Sequence, residues 1–411
     1  MTTNPLHPFL FAAALSMPAL AQKPPGDAQR LATACNQFAA DLHGKLAASG
    51  SPTCSPASIA IALLMLLLGA RGDTAKEIAT VLHLPEDLRG ERMHRAARDL
   101  LQGVGLMQNG SPNRDVPPSP LVITNDLWVQ QGFAVVPAYR DLLRSSFAAA
   151  QRDVDFAADA EVARQTINAH IAKATNDRIR DLLQPGMILP GTRVVLTNAL
   201  WFKAAWEHTF WNKNTKDAPF TLADDSVVQV PTMRQTQVFG YADSDDWQVL
   251  MLPFASSGIV CEIVLPREGK PLATAEQALL GWTYRPTVQF ERVDVELPRF
   301  QVAAAHRLSD ALMALGLHAA FDGDRADFTG ITTKEPLVIE NVVHQTWIQV
   351  DEEGAEAAAA TATVLKAGSA VPQGEPKLFH ADRPFAFGLR DRQTGLLLFV
   401  GRVSDPRSKQ S

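Results

Sequence analysis

From residue 192 onward the chain reads as a succession of strands. RVVLTNALWFKAAW, VQVPTM, WQVLMLPF, GIVCEIVLP, VDVELPRF, LVIENVVHQTWIQV (337 to 350) and LLLFVGRV are interrupted by one helical segment, HRLSDALMALGL (306 to 317). Short apolar runs bounded by turn-forming residues have the length of strands rather than of helices. The first half differs in period. DAQRLATACNQFAADLHGKLAAS places Leu31, Cys35, Phe38 and Leu42 on one side of a helix. In SPTCSPASIAIALLMLLLGARGDTAKEIATVL, Ser55 is placed to cap, Pro56 to occupy the first helical position, and Gly69 and Gly72 to punctuate the end. Thr74 followed by Glu77 has the spacing of a capping box for a further helix. LVITNDLWVQQ (121 to 131) reads as a strand and AEVARQTINAHIAKATNDRIRDLL (160 to 183) as a helix. A helix-rich half followed by a strand-rich half implies one α+β body.

At 411 residues the length alone allows two or three domains, but NGSPNRDVPPSP (109 to 120) reads as an exposed connection rather than a boundary, and no internal repeat is visible. Asn109-Gly110-Ser111 is a nominal glycosylation acceptor, followed by an unfavourable proline. A net charge of −6 without a lysine-rich block gives no footprint for nucleic acid. In RGERMHRAARDL (89 to 100) the arginines, Arg92 and Arg95 among them, are interleaved with acids, which describes a solvated helix face better than a glycosaminoglycan site. The apolar run IAIALLMLLLGA (59 to 70) is shorter than the roughly 18 residues a membrane span needs and reads as a buried helix.

Residues 1–21 end in HPFLFAAALSMPALA, an apolar run closing on Ala19-Leu20-Ala21 before polar QKPPGD, and read as a signal peptide, although the leader MTTNPLH carries no Lys or Arg. The expectation is a secreted protein, extracellular or periplasmic; the alternative is a disordered tail. Three cysteines make no disulfide framework. Cys35 and Cys54 would pair in an oxidising compartment if their elements lay side by side, whereas Cys261 reads as a buried hydrophobe. No CxxC or His/Cys cluster points to a metal, and no cofactor is expected.

Enzyme motifs are missing: there is no G-x-S-x-G elbow, P-loop, G-x-G-x-x-G or H-E-x-x-H. A dispersed Ser/His/Asp triad is defined by geometry and leaves no such trace. His170, on a predicted helix, reads as structural. A different signal lies in EEGAEAAAATAT (352 to 363). By propensity this is a helix or an Ala-rich linker. As a strand, its odd face carries Ala355, Ala357, Ala359, Thr361, Thr363, Leu365 and Ala367, without charge, while Glu356 and Lys366 fall on the opposite face with Ala358, Ala360, Ala362 and Val364. Gly354 supplies a flexible joint ahead of it.

What separates these alternatives is a resemblance. SPASIAIALLMLLLGARGDTAKEI (55 to 78), LTNALWFKAAWEHTF (196 to 210), ADFTGI (326 to 331), NVVHQTWIQVDEEGAEAAAAT (341 to 361) and FHADRPFAFGLRDRQTGLLLFVGRVSDP (379 to 406) resemble the serpin family, in order, over residues 30–406. The resemblance implies a single domain of three β-sheets and eight or nine helices, with an exposed reactive-centre loop, here about 354–378. It also implies a metastable native form: once cleaved, the loop inserts as a new central strand of the large sheet. The covalently attached protease is carried to the far pole, a displacement on the order of 45 Å. An inserted face without charge or bulk suits this, since an unpaired carboxylate between strands would cost several kcal/mol. The resemblance thus implies an irreversible inhibitor of serine or possibly cysteine endopeptidases, a monomer and not an enzyme. The alternative is a non-inhibitory carrier, chaperone or storage protein whose loop is merely cut.

Residue by residue, the resemblance assigns the hinge to Glu352, Glu353, Gly354, Ala355, Glu356, Ala357, Ala358, Ala359, Ala360 and Thr361, with Ala355 departing from the usual Thr or Ser. It assigns the hydrogen-bonded shutter beneath the sheet to Ser55, Ser58, Asn198 and His344, and the breach at its top to Trp206 and Arg299, the latter paired with Glu352. The family's interval places the scissile bond at Gly368-Ser369. Because the loop is about five residues longer than usual, Lys366-Ala367, suited to a trypsin-like enzyme, and bonds within Ala367 to Val371, suited to an elastase-like one, remain open.

Overall fold

The computed structural model describes residues 25–48, 50, 52–105, 121–255, 257–355 and 374–407. Eight α-helices are described: α1 (Asp27–Ala48), α2 (Pro56–Gly69), α3 (Gly72–Val81), α4 (Glu91–Gly103), α5 (Pro137–Phe147), α6 (Ala160–Ala174), α7 (Leu272–Gly281) and α8 (Ser309–Ala314). Between and after them run β1 (Leu121–Gln130), β2 (Ala150–Val154), β3 (Val194–Phe202), β4 (Ala204–Ala205), β5 (Lys216–Thr221), β6 (Val227–Asp243), β7 (Trp247–Pro253) and β8 (Ile259–Pro266). The chain closes with β9 (Gln289–Pro298), β10 (Phe300–Arg307), β11 (Val343–Val350), β12 (Gly354–Ala355), β13 (Lys377–His380), β14 (Phe385–Asp391) and β15 (Leu397–Val403).

The strands form three sheets: β2-β1-β3, then β10-β11-β12-β4, and an eight-stranded sheet ordered β13-β9-β6-β7-β8-β14-β15 with β5 on β6. The eight-stranded sheet is covered on its inner strands, and β8 is buried at every position, which is why its sequence is a continuous apolar run rather than an alternation. The other two sheets lie side by side, because β4 follows β3 directly and β3 neighbours β11. No ladder joins β3 to β11 among the described residues. Beneath that seam lies α2, packed on α1, β3 and β15, so its apolar composition reflects burial on nearly every side. Ser55 caps it, its hydroxyl accepting from Ser58 N, and Pro56 occupies the first helical position.

Several expectations need correction. Thr74 and Glu77 do not form a capping box: α3 begins at Gly72, and Thr74 Oγ1 accepts from Asp327 N at 3.0 Å. The Glu77 carboxylate instead accepts from His318 N and Ala319 N, at 2.7 and 2.6 Å, and so caps a distant turn. The helix expected over 160–183 stops at Ala174, since Asn176 and Asp177 turn to positive φ and Thr175 Oγ1 takes Ile179 N. The helix expected over 306–317 loses His306 and Arg307 to β10, and the strand expected over 337–350 starts only at Val343. Cys35 and Cys54 are both free and buried, as is Cys261, so the conditional disulfide is not formed. Residues 1–21 and 109–120 lie outside the described residues.

Candidate functional site

At the top of the divided sheet the chain leaves β11 at Val350 and folds back within four residues. Asp351 organises the turn: its N donates to Gly354 O at 3.0 Å, and its carboxylate accepts from Glu353 N at 3.0 Å and Gly354 N at 3.3 Å. Gly354 and Ala355 then enter between β11 and β4, Ala355 opposite Val350 on one side and Ala204 on the other. Gly354 has φ +151°, and a Cβ there would lie 2.0 Å from Ala204 O, so only glycine fits. Ala355 is fully buried.

Trp206 closes the turn from the other side. Its indole N–H donates to Asp351 O at 2.8 Å, its backbone N donates to Glu353 O at 2.9 Å, and its ring stacks on Phe254 at 4.4 Å. Phe210 N donates to Glu352 O at 2.9 Å. The Glu352 side chain is buried, and Arg299 Nε donates to its Oε1 at 2.9 Å while the Thr215 hydroxyl donates to the same oxygen. Burial pushes the Glu352 carboxyl up, but the bonds from Arg299 and Thr215 prevail and hold it below its usual value. Glu352, Glu353, Gly354, Ala355, Trp206 and Arg299 thus meet in one place.

Midway down the seam, Ser55 and His344 also meet. Ser55 N donates to His344 Nε2 at 2.9 Å and Ser55 Oγ to Leu398 O at 2.6 Å. Burial pushes His344 down to about 3, helped by the charge of His306 across the strand pair, so the ring is neutral and its Nε2 accepts. Ser58 contributes its backbone N–H to Ser55 Oγ at 3.3 Å, and its own buried hydroxyl has no hydrogen-bond partner among the described residues. Asn198 sits on β3 opposite Asn125 in register.

Glu356, Ala357, Ala358, Ala359, Ala360, Thr361 and the bond Gly368-Ser369 lie outside the described residues. Arg92 is held by Asp27 and Asp87 and Arg95 lies 3.6 Å from Glu91, so neither forms part of a free basic face. The sequence reading missed Asp351 and Thr215. Asp351 was findable, since Asp-x-x-Gly is a turn signature in which the carboxylate takes the following amides; Thr215 comes from a distant segment and carries no local signal.

The chain belongs to the serpin (serine protease inhibitor) family, whose profile residues 33–406 match. A serpin-like protein of Thermococcus kodakarensis is 37% identical over 388 residues, 93% of this chain and 87% of that one. The leukocyte elastase inhibitor of Bos taurus is 34% identical, covering 92% of this chain and all of that protein. Among solved structures, native protease nexin-1 with heparin superimposes with a TM-score of 0.78 at 27% identity, over 92% of this chain and 100% of that one.

Proposed function

We propose that this chain is a suicide-substrate inhibitor of serine or cysteine endopeptidases. The observation that carries the reading is the seating of Gly354 and Ala355 between β4 and β11: the first rung of an added strand is in place, with Ala355 buried and uncharged. A protease nucleophile attacks the carbonyl carbon of Gly368, the Gly368-Ser369 bond breaks, and the amine of Ser369 leaves. The remaining acyl ester is then carried along as the strand continues. Each residue added gains ladder hydrogen bonds and burial, which drives the change in one direction. The name of the Bos taurus relative supports the same reading. In it the chain is consumed once per protease, acts as a monomer, is itself no enzyme, and meets its target outside the cytoplasm after loss of residues 1–21.

Incubation with trypsin, elastase, chymotrypsin and subtilisin, followed by denaturing gels, tests this. A band at the summed mass of chain and protease is expected with at least one of them. Clean nicking of the loop with no adduct in any case would overturn inhibition in favour of a carrier or storage role.

A further inference from the structure

Below the rung at Ala355 the seam widens into a cavity of about 240 Å³. Its walls come from α2, the start of β3, the segment 183–193 and the segment 335–344. Leu63, Leu66, Met187 and Ile331 give it a largely aliphatic interior, while Arg193, Glu335 and Glu340 also line it. Ser58 also lines it, fully buried, and the Ser58 hydroxyl has no hydrogen-bond partner among the described residues. The cation nearest the rim, Arg193, is engaged: its Nε donates to Glu335 at 3.0 Å, and its Nη1 to the carbonyls of Pro190 and Gly191.

These observations specify an occupant. An engineered apolar cavity of roughly 150 Å³ is enough to bind benzene, so this one has room for a molecule of about ten non-hydrogen atoms. Glu335 and Glu340 are exposed and Arg193 is engaged, so the aliphatic interior offers no buried charge and selects a neutral hydrocarbon body; an ion there would lose its hydration with nothing in return. One buried hydroxyl left unpaired is a group that a ligand donor or acceptor would satisfy. We infer that the cavity between α2, β3 and the approach to β11 is a binding site for a small neutral ligand, largely hydrocarbon, that carries one hydrogen-bonding group directed at Ser58.

Occupancy has a consequence that rests on the inhibitory reading above. Continuing the pairing of Ala355 with Val350 brings Thr361 opposite His344 and Thr363 opposite Val342, both residues of the cavity wall. Ligand and inserted strand therefore compete for one space. A compound that binds only the uncut form stabilises it by mass action and slows insertion.

The test uses 4-propylphenol, a neutral probe of the specified size, titrated calorimetrically into the full, uncut chain. One site with a dissociation constant on the order of 0.1 mM is expected. Ala62→Leu, which fills the cavity from α2, should weaken binding at least tenfold, while Ser58→Ala should weaken 4-propylphenol about fivefold and leave propylbenzene unchanged. Should Ala62→Leu fail to fold, the two-ligand comparison in Ser58→Ala decides alone. Absence of saturable binding, as for a cavity that holds only water, overturns the site, and so does binding indifferent to both substitutions. Repeating the titration on loop-cleaved protein separates the two readings. Loss of binding in a cleaved form of raised thermal stability supports competition, and retained binding in such a form overturns it. Retained binding in a cleaved form of unchanged stability leaves the ligand site standing and rejects strand insertion instead.

Discussion

Two buried polar places in this molecule are built to opposite standards. In the eight-stranded sheet, Arg390 and Glu262 are both fully buried, and their polar atoms are satisfied: Arg390 Nε donates to Glu262 Oε2 at 2.8 Å, Nη1 to Gly395 O at 3.0 Å and Nη2 to Leu279 O at 2.8 Å. Trp282 donates to the other Glu262 oxygen at 3.1 Å and lies beneath the guanidinium. At the seam between β3 and β11 the Ser58 hydroxyl is buried beside an open cavity with no hydrogen-bond partner among the described residues. An ion pair whose own polar atoms are satisfied has one good arrangement and resists change; a region with an unmet bond and empty volume is already unfavourable as it stands. On the inhibitory reading, the open volume and the unmet Ser58 hydroxyl lie where strands need to part, and the Arg390–Glu262 pair lies where they must hold.

The comparison is broken most severely at Arg390. Arg390→Ala leaves the Glu262 carboxylate buried without its cation, and a loss of about 3–5 kcal/mol is expected, read as a fall in the urea midpoint. A cost under about 1 kcal/mol would show that the eight-stranded sheet is no more rigid than the seam. Next in size is Gly354→Val, which places a branched side chain against Ala204 O and should expel the first rung at about 2–3 kcal/mol. The amides of Trp206 and Phe210, which donate to Glu353 O and Glu352 O, should then exchange faster with solvent, while those of β8 and β14 stay unchanged. Unaltered exchange at Trp206 would mean that the rung is not anchored as described.

The smallest effect concerns Arg299, whose loss leaves the buried Glu352 with Thr215 alone. Arg299→Leu should cost about 1–2 kcal/mol at neutral pH. The Glu352 carboxyl is held below its ordinary value in the folded chain, so its contribution is fully present above the unfolded-state value. That contribution fades as pH falls through the depressed folded value. In Arg299→Leu that depression is relieved, so the acid limb of a stability profile should be shallower than in the parent and the two profiles should converge as pH falls. Superimposable limbs in urea titrations between about pH 3 and 7 would remove Arg299 as the cause.

Local signals carried much of the fold into view. The capped and proline-initiated α2, the periodic face of α1 and the apolar runs of β7 and β8 could be read because each is determined by its own residues and its burial. Errors fell where a distant partner decides. Glu77 has the right spacing to cap its own helix but is drawn to the amides of His318 and Ala319, more than two hundred residues away in sequence. The residues around Glu352 came from the family resemblance, not from composition. The turn made by Asp351 was locally legible, but its contact with Trp206 depends on how β4 and β11 are brought together. Cavities leave no trace in a linear pattern, so the space below Ser58 was invisible before the fold was known.

The pairing of Ala355 with Val350 also decides a matter of counting. Side chains on a strand alternate, so a strand continued from that contact, as the inhibitory reading requires, would turn its odd-numbered residues inward and Glu356 and Lys366 out. Deleting or adding a single residue just after Ala355 would leave the composition of the stretch almost untouched, yet swing both charges towards the apolar interior. Tolerance of length in this segment should accordingly run in steps of two.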